Sequence, residues 1–438
     1  MSDILQRAKG TRDFGPEEKI KRDLILTKIV NIFELFGFNP LETPVMERYE
    51  LFAYKFGLGE QSDSMRETFK LVDQGNRELV LRPEFTVPFA RFVAMNPDLA
   101  MPFKRYQIGT VFRDGPIKLG RYREFTQCDV DIVGAEQMTA DAEILEVVQN
   151  VFSALNLDVE ICINNRKFLD DVLAKVGIKT NQREAVIVAL DKLDKIGSDG
   201  VIKELVDERG VSTKQAQALL EILNAKGDNV ALLAKLREQV AESEGLKEIE
   251  QTLALVGSDN VRFLPSLARG LAYYTGNVFE VFLKNKKLLS SALAGGGRYD
   301  NMIGAYSGEK KIIPAVGLSF GLDVIVDALE KLGDNFAKRT VVDVYVAIIE
   351  SASSADARGN YKKGLEIARK LRSAGFNVAV DLESRKLKKN IEYAAKQGIR
   401  WMIIAGETEL KNNQVALRDL EKGEQLVVDI VDIVEKLK

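Results

Sequence analysis

The stretch Phe112-Arg-Asp-Gly-Pro-Ile-Lys-Leu-Gly-Arg-Tyr-Arg-Glu-Phe-Thr-Gln-Cys-Asp-Val-Asp131 sets two strand-like arms around a loop turned by Gly115-Pro116 and Gly120. The arms carry Arg113, Arg121 and Arg123 beside Glu124, Asp129 and Asp131. Side chains alternate faces along a strand, so Gln127, Asp129 and Asp131 share one side. Three converging polar groups suit a binding surface. A solvated hairpin alternates apolar and polar residues equally well, and the stretch alone leaves both readings open.

Outward from this hairpin, strand-like runs recur at residues 79–81, 106–112, 125–133 and 278–282, and again around Ala292. Strands in runs, with helices set aside, predict an antiparallel sheet in an α+β domain. Before them, Pro16-Glu17-Glu18 starts a helix, with proline and two acids in its first turn. Ile20, Leu24, Ile25, Ile29, Ile32, Phe33 and Phe36 follow, and Gly37 is placed to end it. These apolar residues cover more than one face, which predicts a homodimer that buries the surplus.

Eight of the ten prolines lie at or before Pro116. The proline-free span that follows permits helices, and a helical insertion is expected over about 170–255. There, segments 182–194 and 213–224 carry apolar residues at three- and four-residue spacing, separated by turns such as Gly197-Ser-Asp-Gly200. From Val341 strands and helices alternate. Strands are expected at 342–349, 376–381, 401–405 and 414–420, and helices at 360–373 and 385–397, predicting a small α/β domain with a largely parallel sheet. The joint falls in residues 333–340, between domains at 1–332 and 341–438.

Composition narrows the chemistry. Of 438 residues, 46% are apolar and 29% charged, ordinary for a folded globular protein. No apolar run approaches the ~20 residues of a membrane span, no hydrophobic targeting segment opens the chain, and a cytoplasmic protein is expected. The only cysteines are Cys128 and Cys162, and there is no histidine. A disulfide framework and every Ser-His-Asp or Cys-His mechanism are excluded, and no zinc site is expected. Catalysis must run on carboxylates, arginines, lysines or backbone dipoles. Residues 341–438 hold 17 Lys/Arg against 15 Asp/Glu in a chain of net charge −3, a weak pointer to a polyanion partner there.

Two further stretches suit anion binding. Leu267-Ala-Arg-Gly-Leu-Ala-Tyr-Tyr-Thr-Gly276 sets an arginine before two tyrosines, and Leu293-Ala-Gly-Gly-Gly-Arg-Tyr-Asp300 lets backbone approach a ligand closely. Together with the hairpin they resemble the histidyl-tRNA synthetase family of class II aminoacyl-tRNA synthetases, over essentially the whole chain. Gly37-Phe-Asn-Pro-Leu-Glu-Thr-Pro44 is similar to class II motif 1, the dimer element, and Arg113, Arg121, Phe125 and Asp129 to motif 2. Arg269-Gly-Leu-Ala-Tyr-Tyr274 and Gly295-Gly-Gly-Arg-Tyr-Asp300 resemble the histidine-specific motifs. Leu81-Arg-Pro-Glu-Phe-Thr86 resembles the substrate loop.

The resemblance implies a class II antiparallel catalytic domain with a helical insertion and a C-terminal anticodon-binding domain. It implies activation of L-histidine by ATP with Mg2+, then transfer to the 3′ end of tRNA(His), by a homodimer. Arg113 would hold the α-phosphate and Arg121 the terminal phosphates. Phe125 would stack on adenine, and Gln127 would border both ATP and histidine. Arg269 would be the catalytic arginine at the α-phosphate, beside Arg113. Glu84, Thr86 and Gln127 would bind the α-amino group, Asp131 and Tyr274 the imidazole nitrogens, with Tyr273 alongside. Arg123 would lie near the tRNA acceptor end, and the basic run Arg385-Lys386-Leu-Lys388-Lys389 would meet the anticodon stem.

The missing histidines fit this chemistry. The attacking carboxylate is already ionised, so adenylation needs positive charge and alignment, which arginines supply. Three positions depart from the family pattern: Gly115 where motif 2 carries Glu, Ala272 where Asp is usual, and Val324 where motif 3 ends in Arg. Arg298 is a candidate replacement for that arginine. The rival readings are a regulatory relative of ATP phosphoribosyltransferase, which lacks an anticodon-binding domain, and a tRNA-sensing pseudo-synthetase, which Val324 favours and the three arginines oppose.

Overall fold

The protein is described from a computed structural model at residues 5–54, 63–117, 120–308, 311–333, 338–349 and 354–438. It divides into two compact units, Met1–Arg12 with Ile25–Asp334, and Asp13–Leu24 with Asn335–Lys438. Half of the expected joint, residues 334–337, lies outside the described residues. The structure adds that the start of the first long helix groups with the C-terminal unit.

That helix, Pro16–Leu35, begins at its proline and ends just before Gly37, whose φ of 75° is a left-handed conformation that glycine adopts at no steric cost. Within the first unit Ile25, Ile29 and Phe33, at four-residue spacing, are fully buried. Phe33 packs on Tyr106 and Phe320, which anchors the helix to the sheet. Leu35 stays exposed, so the apolar surface is wider than this one core uses.

Among the described residues the sheet runs in the order Asn39–Pro40, Phe103–Phe112, Glu124–Val133, Ala315–Gly321, Ala294–Arg298, Asn277–Leu283, Val159–Asn165 and Val261–Phe263. Pairing is antiparallel throughout the middle and parallel only at the two outermost pairs. The α+β reading holds. The strand expected around Ala292 lies at Ala294–Arg298, on the glycine tract itself. A Cβ on Gly296 would stand 2.0 Å from the Gly317 carbonyl oxygen, so only glycine lets the two strands approach this closely.

Helices from Arg166–Lys175 to Glu244–Val256 form the insertion, slightly wider than the 170–255 expected. Asp228 and Ser243 cap two of them through their side chains, and Ser212 with Gln215 makes a reciprocal capping box. The glycine turn expected at 197–200 interrupts the helical run Leu193–Arg209 at Gly197, whose non-helical backbone (φ 70°, ψ 174°) joins two helices across a kink.

In the C-terminal unit the strands Val378–Val380, Val344–Ile348 and Trp401–Ala405 are parallel. Gln414–Asp419 and Gln425–Asp429 add on antiparallel, so the sheet is mixed where a largely parallel one was expected. The last strand escapes sequence reading because Gln425, Leu426 and Val427 are exposed at an edge and carry no clean alternation. Helices Ser354–Ser373 and Leu387–Lys396 pack on opposite sheet faces through separate apolar clusters. The basic run is only partly helical. Arg385 precedes the helix and is held by Asp381 and Glu383, while Lys388 and Lys389 sit on its exposed first turn.

Candidate active site

The polar face of the central hairpin is buried, which removes the solvated-hairpin reading. Register sets Arg105 opposite Asp131, Gln107 opposite Asp129 and Gly109 opposite Gln127. Asp131 meets the fully buried Arg105 at 2.6 Å and accepts the Tyr299 hydroxyl at 2.5 Å. Arg105 in turn stacks on Phe89, 4.3 Å from the ring centre. Room for Asp131 comes from Gly317 on the next strand, whose Cβ would stand 1.9 Å from the carboxylate. Burial pushes the Asp129 pKa up to about 7, with Arg105 pulling it down and Asp131 adding to the rise. Gln127 keeps a buried side-chain oxygen with no hydrogen-bond partner.

Beside this row, Glu84 accepts the backbone N–H groups of Thr86 at 2.6 Å and Val87 at 2.9 Å, at the start of the helix Thr86–Met95. Burial raises its pKa against those hydrogen bonds and against Arg113. Arg113 donates Nε to the Pro83 carbonyl at 3.0 Å and lies 5.1 Å from the Phe125 ring centre. Burial lowers its pKa, while facing Glu84 supports its charge. Substrate loop and motif 2 therefore meet.

The third wall is the loop after Leu267. Arg269 Nη1 reaches Glu280 at 3.3 Å, and its guanidinium lies 5.9 Å from the Tyr274 ring. Burial opposes the Arg269 charge, but Tyr274 and Glu280, with Tyr273 and Asp191, hold its pKa above the ordinary arginine value. Tyr273 and Tyr274 rings stand 4.8 Å apart, and Tyr273 is edge-on to Tyr299 at 6.3 Å. The glycine tract serves these side chains. A Cβ on Gly295 would lie 2.1 Å from Arg269 Nη1, and one on Gly297 would lie 2.9 Å from Tyr274.

At the rim, Arg121 donates through Nη2 to both carboxylate oxygens of Glu67, at 2.7 and 2.8 Å. Glu67 also explains Gly115. Its carboxylate lies 2.9 Å from where a Gly115 Cβ would be, so a neighbouring segment brings the acid that motif 2 lacks. Arg123 pairs with Asp114 at 2.9 Å, and its backbone N–H donates to the Gly10 carbonyl.

Val324 stands in the first turn of the helix Leu322–Lys331, against Gly120. One residue before it, Asp323 pairs with Arg12, which lies 3.3 Å over the Tyr122 ring. Arg298 does not replace the missing arginine. It is 2% exposed and bound to Asp141 at 2.7 Å and Asp300 at 3.3 Å, below the sheet's working face. Sequence reading missed Arg105, Glu67, Glu280 and the role of Tyr299. Only Tyr299 had a signal, inside the quoted glycine motif.

The model of the family described as histidyl-tRNA synthetase matches residues 10–325, and that of the anticodon binding domain matches 343–438. A histidine–tRNA ligase of Bacillus cereus is 43% identical over 435 residues, covering 97% of this chain and 98% of that relative. The crystal structure of histidyl-tRNA synthetase from Nostoc sp. PCC 7120 superposes with a TM-score of 0.81 at 32% identity, covering 99% of this chain and 98% of that one. A Bacillus halodurans structure described as an ATP phosphoribosyltransferase regulatory subunit/histidyl-tRNA synthetase shares the fold at 23% identity, with a TM-score of 0.75, covering 93% of this chain and 99% of that one.

Proposed function

Because the chain belongs to the histidyl-tRNA synthetase family and is a ligase that charges histidine tRNA, we propose that Arg113 and Arg269 carry its adenylation step. A histidine carboxylate oxygen attacks the α-phosphorus of ATP, the bond to the bridging oxygen breaks, and pyrophosphate leaves. The tRNA 3′-terminal hydroxyl then attacks the activated carbonyl and AMP departs. The supporting observation is convergence. Arg113 faces Glu84 and Tyr273, and Tyr273 faces Glu84 and Arg269, so two guanidinium groups and the substrate loop share one site. Charge gathering on the α-phosphate meets donors already oriented.

On this reading Arg121 takes the terminal phosphates of an ATP–Mg2+ substrate complex and Phe125 stacks on adenine. Glu84, Thr86 and Gln127 receive the α-amino group, and Asp131, Tyr273 and Tyr274 border the imidazole. Losing a distal-phosphate arginine at Val324 weakens ATP binding more than turnover, because that contact is made in ground and transition states alike. Arg123 meets the acceptor end, and the C-terminal unit meets the anticodon stem. The working form is a cytoplasmic homodimer, whose interface takes apolar residues left exposed on the first unit, Leu35, Met46 and Met95 among them.

One preparation tests the whole reading. The protein should sediment at twice its chain mass and show histidine-dependent ATP–pyrophosphate exchange and charging of a histidine tRNA transcript. Exchange without a histidine requirement sinks it. Lys388→Glu with Lys389→Glu should raise the KM for tRNA and flatten its salt dependence while leaving exchange unchanged. Unaltered charging at every salt concentration would clear this helix of any role in tRNA binding.

A further inference from the structure

The carboxylates around the amino-acid face are unequally committed. Glu84 accepts two backbone N–H groups, and Asp131 is taken by Arg105 and the Tyr299 hydroxyl. Gln107 bonds Thr43, and Arg82 spends Nε on the Thr110 carbonyl and Nη1 on the Thr43 carbonyl. Asp129 stands between these groups, 4% exposed, and among the described residues its Oδ1 has no hydrogen-bond partner. Ser319, opposite it in register, favours the ionised form, yet the Ser319 hydroxyl makes no hydrogen bond of good geometry. Arg105, paired with Asp131, faces both acids, and Arg82 faces Asp129. A buried acceptor left unmade is costly unless a ligand donor completes it.

We propose that Asp129 accepts an N–H of the bound amino acid, in the row between Gln127 and Asp131. The inference rests on the reading that this face holds histidine. Histidine offers N–H donors, and a cationic one fits best, because Arg105 is already paired with Asp131 and Arg82, though it faces Asp129, donates to the Thr110 and Thr43 carbonyls. The α-ammonium and the imidazole ring both have that chemistry. Asp129 is thus a specificity-determining residue, a role that its place in motif 2 does not by itself assign. The raised pKa agrees, since burial drives it up and Arg105 and Ser319 do not offset that rise.

The test is Asp129→Asn in the full-length enzyme, which keeps the shape and removes the charge. The histidine KM in pyrophosphate exchange at pH 8 should rise at least about tenfold, the scale of one charged hydrogen bond, with the ATP KM nearly unchanged. The melting temperature should hold or rise. A carboxyl whose folded pKa lies above its unfolded one costs stability at every pH above the folded value, and asparagine removes that cost. A structural role for Asp129 predicts the reverse, a lower melting temperature with an unchanged KM, and would overturn the proposal.

The variant-to-wild-type KM ratio should grow from pH 6 to pH 8. Near pH 6 the wild-type carboxyl is largely protonated and has already lost the negative charge that the variant lacks, whereas ionisation of the substrate cancels in the ratio. Asp131, Glu84, Arg105 and Arg82 face Asp129 in both proteins. A ratio flat with pH counts against the proposal. Histamine and imidazolepropionate, as competitive inhibitors, separate the donors. Weakening of histamine alone assigns Asp129 to the ammonium, weakening of both assigns it to the ring, and weakening of neither overturns the proposal. A wild-type enzyme that needs no histidine for exchange tells against the synthetase reading itself, so the two failures are distinct.

Discussion

Replacing Arg269 by alanine is expected to cut the turnover of histidine-dependent exchange at least about a hundredfold, with a modest change in apparent ATP affinity. The expectation follows from where charge develops. Negative charge gathers at the α-phosphorus oxygens during adenylation, and a preoriented donor there is typically worth ~3–4 kcal/mol of barrier. Arg269 is preoriented by Glu280 on one side and Tyr274 on the other, over a glycine strand that admits no side chain. Arg269→Lys keeps the charge and loses the planar fork, so its turnover should fall between the two. Normal turnover in the alanine variant would move the catalytic role elsewhere.

The largest stability loss is expected at Arg298. Methionine there leaves Asp141, fully buried, without its cation, and breaking a buried pair from one side costs about 3–5 kcal/mol. Arg298 also donates to the Ala135 and Gln137 carbonyls, so the whole turn before the Thr139–Ala154 helix loses its anchor. The deficit should depend on pH. Burial raises the Asp141 pKa to about 6, against the pull of Arg298, so without the arginine it rises further. A folded pKa raised above the unfolded value costs stability progressively as pH climbs between the two. The variant's window extends higher, so its deficit should shrink on acidification from pH 8 to pH 5. Adding Asp141→Leu should restore part of the loss. Denaturant midpoints of the single and double variants at both pH values check this, and a midpoint unchanged in Arg298→Met would show that the pair contributes nothing.

Glu67 and Gly115 show how a departure in sequence can be filled in space. The acid that motif 2 lacks two residues after Arg113 comes from a segment 54 positions before Arg121 and pairs with that same arginine. Among the described residues Val324 has no such direct replacement, although Arg12 brings a guanidinium to the residue beside it.

The sequence by itself determined the antiparallel hairpin, the helical insertion, the α/β C-terminal unit and the motifs whose arginines and tyrosines converge on the candidate site. These depend on periodicity, turn chemistry and short motifs, which act within a few residues along the chain and so can be read along it. Tertiary structure alone decided which polar groups were already committed. Arg298 reads as a phosphate ligand in its glycine motif, until Asp141, 157 residues earlier, is found to hold it. Asp129 and Asp131 are indistinguishable on one strand face, until Arg105 and Tyr299 occupy one and leave the other's oxygen unpartnered. Strand register and burial make those choices. They join residues that no local preference connects, and in a buried site the free energy of a charge depends on the partner it finds.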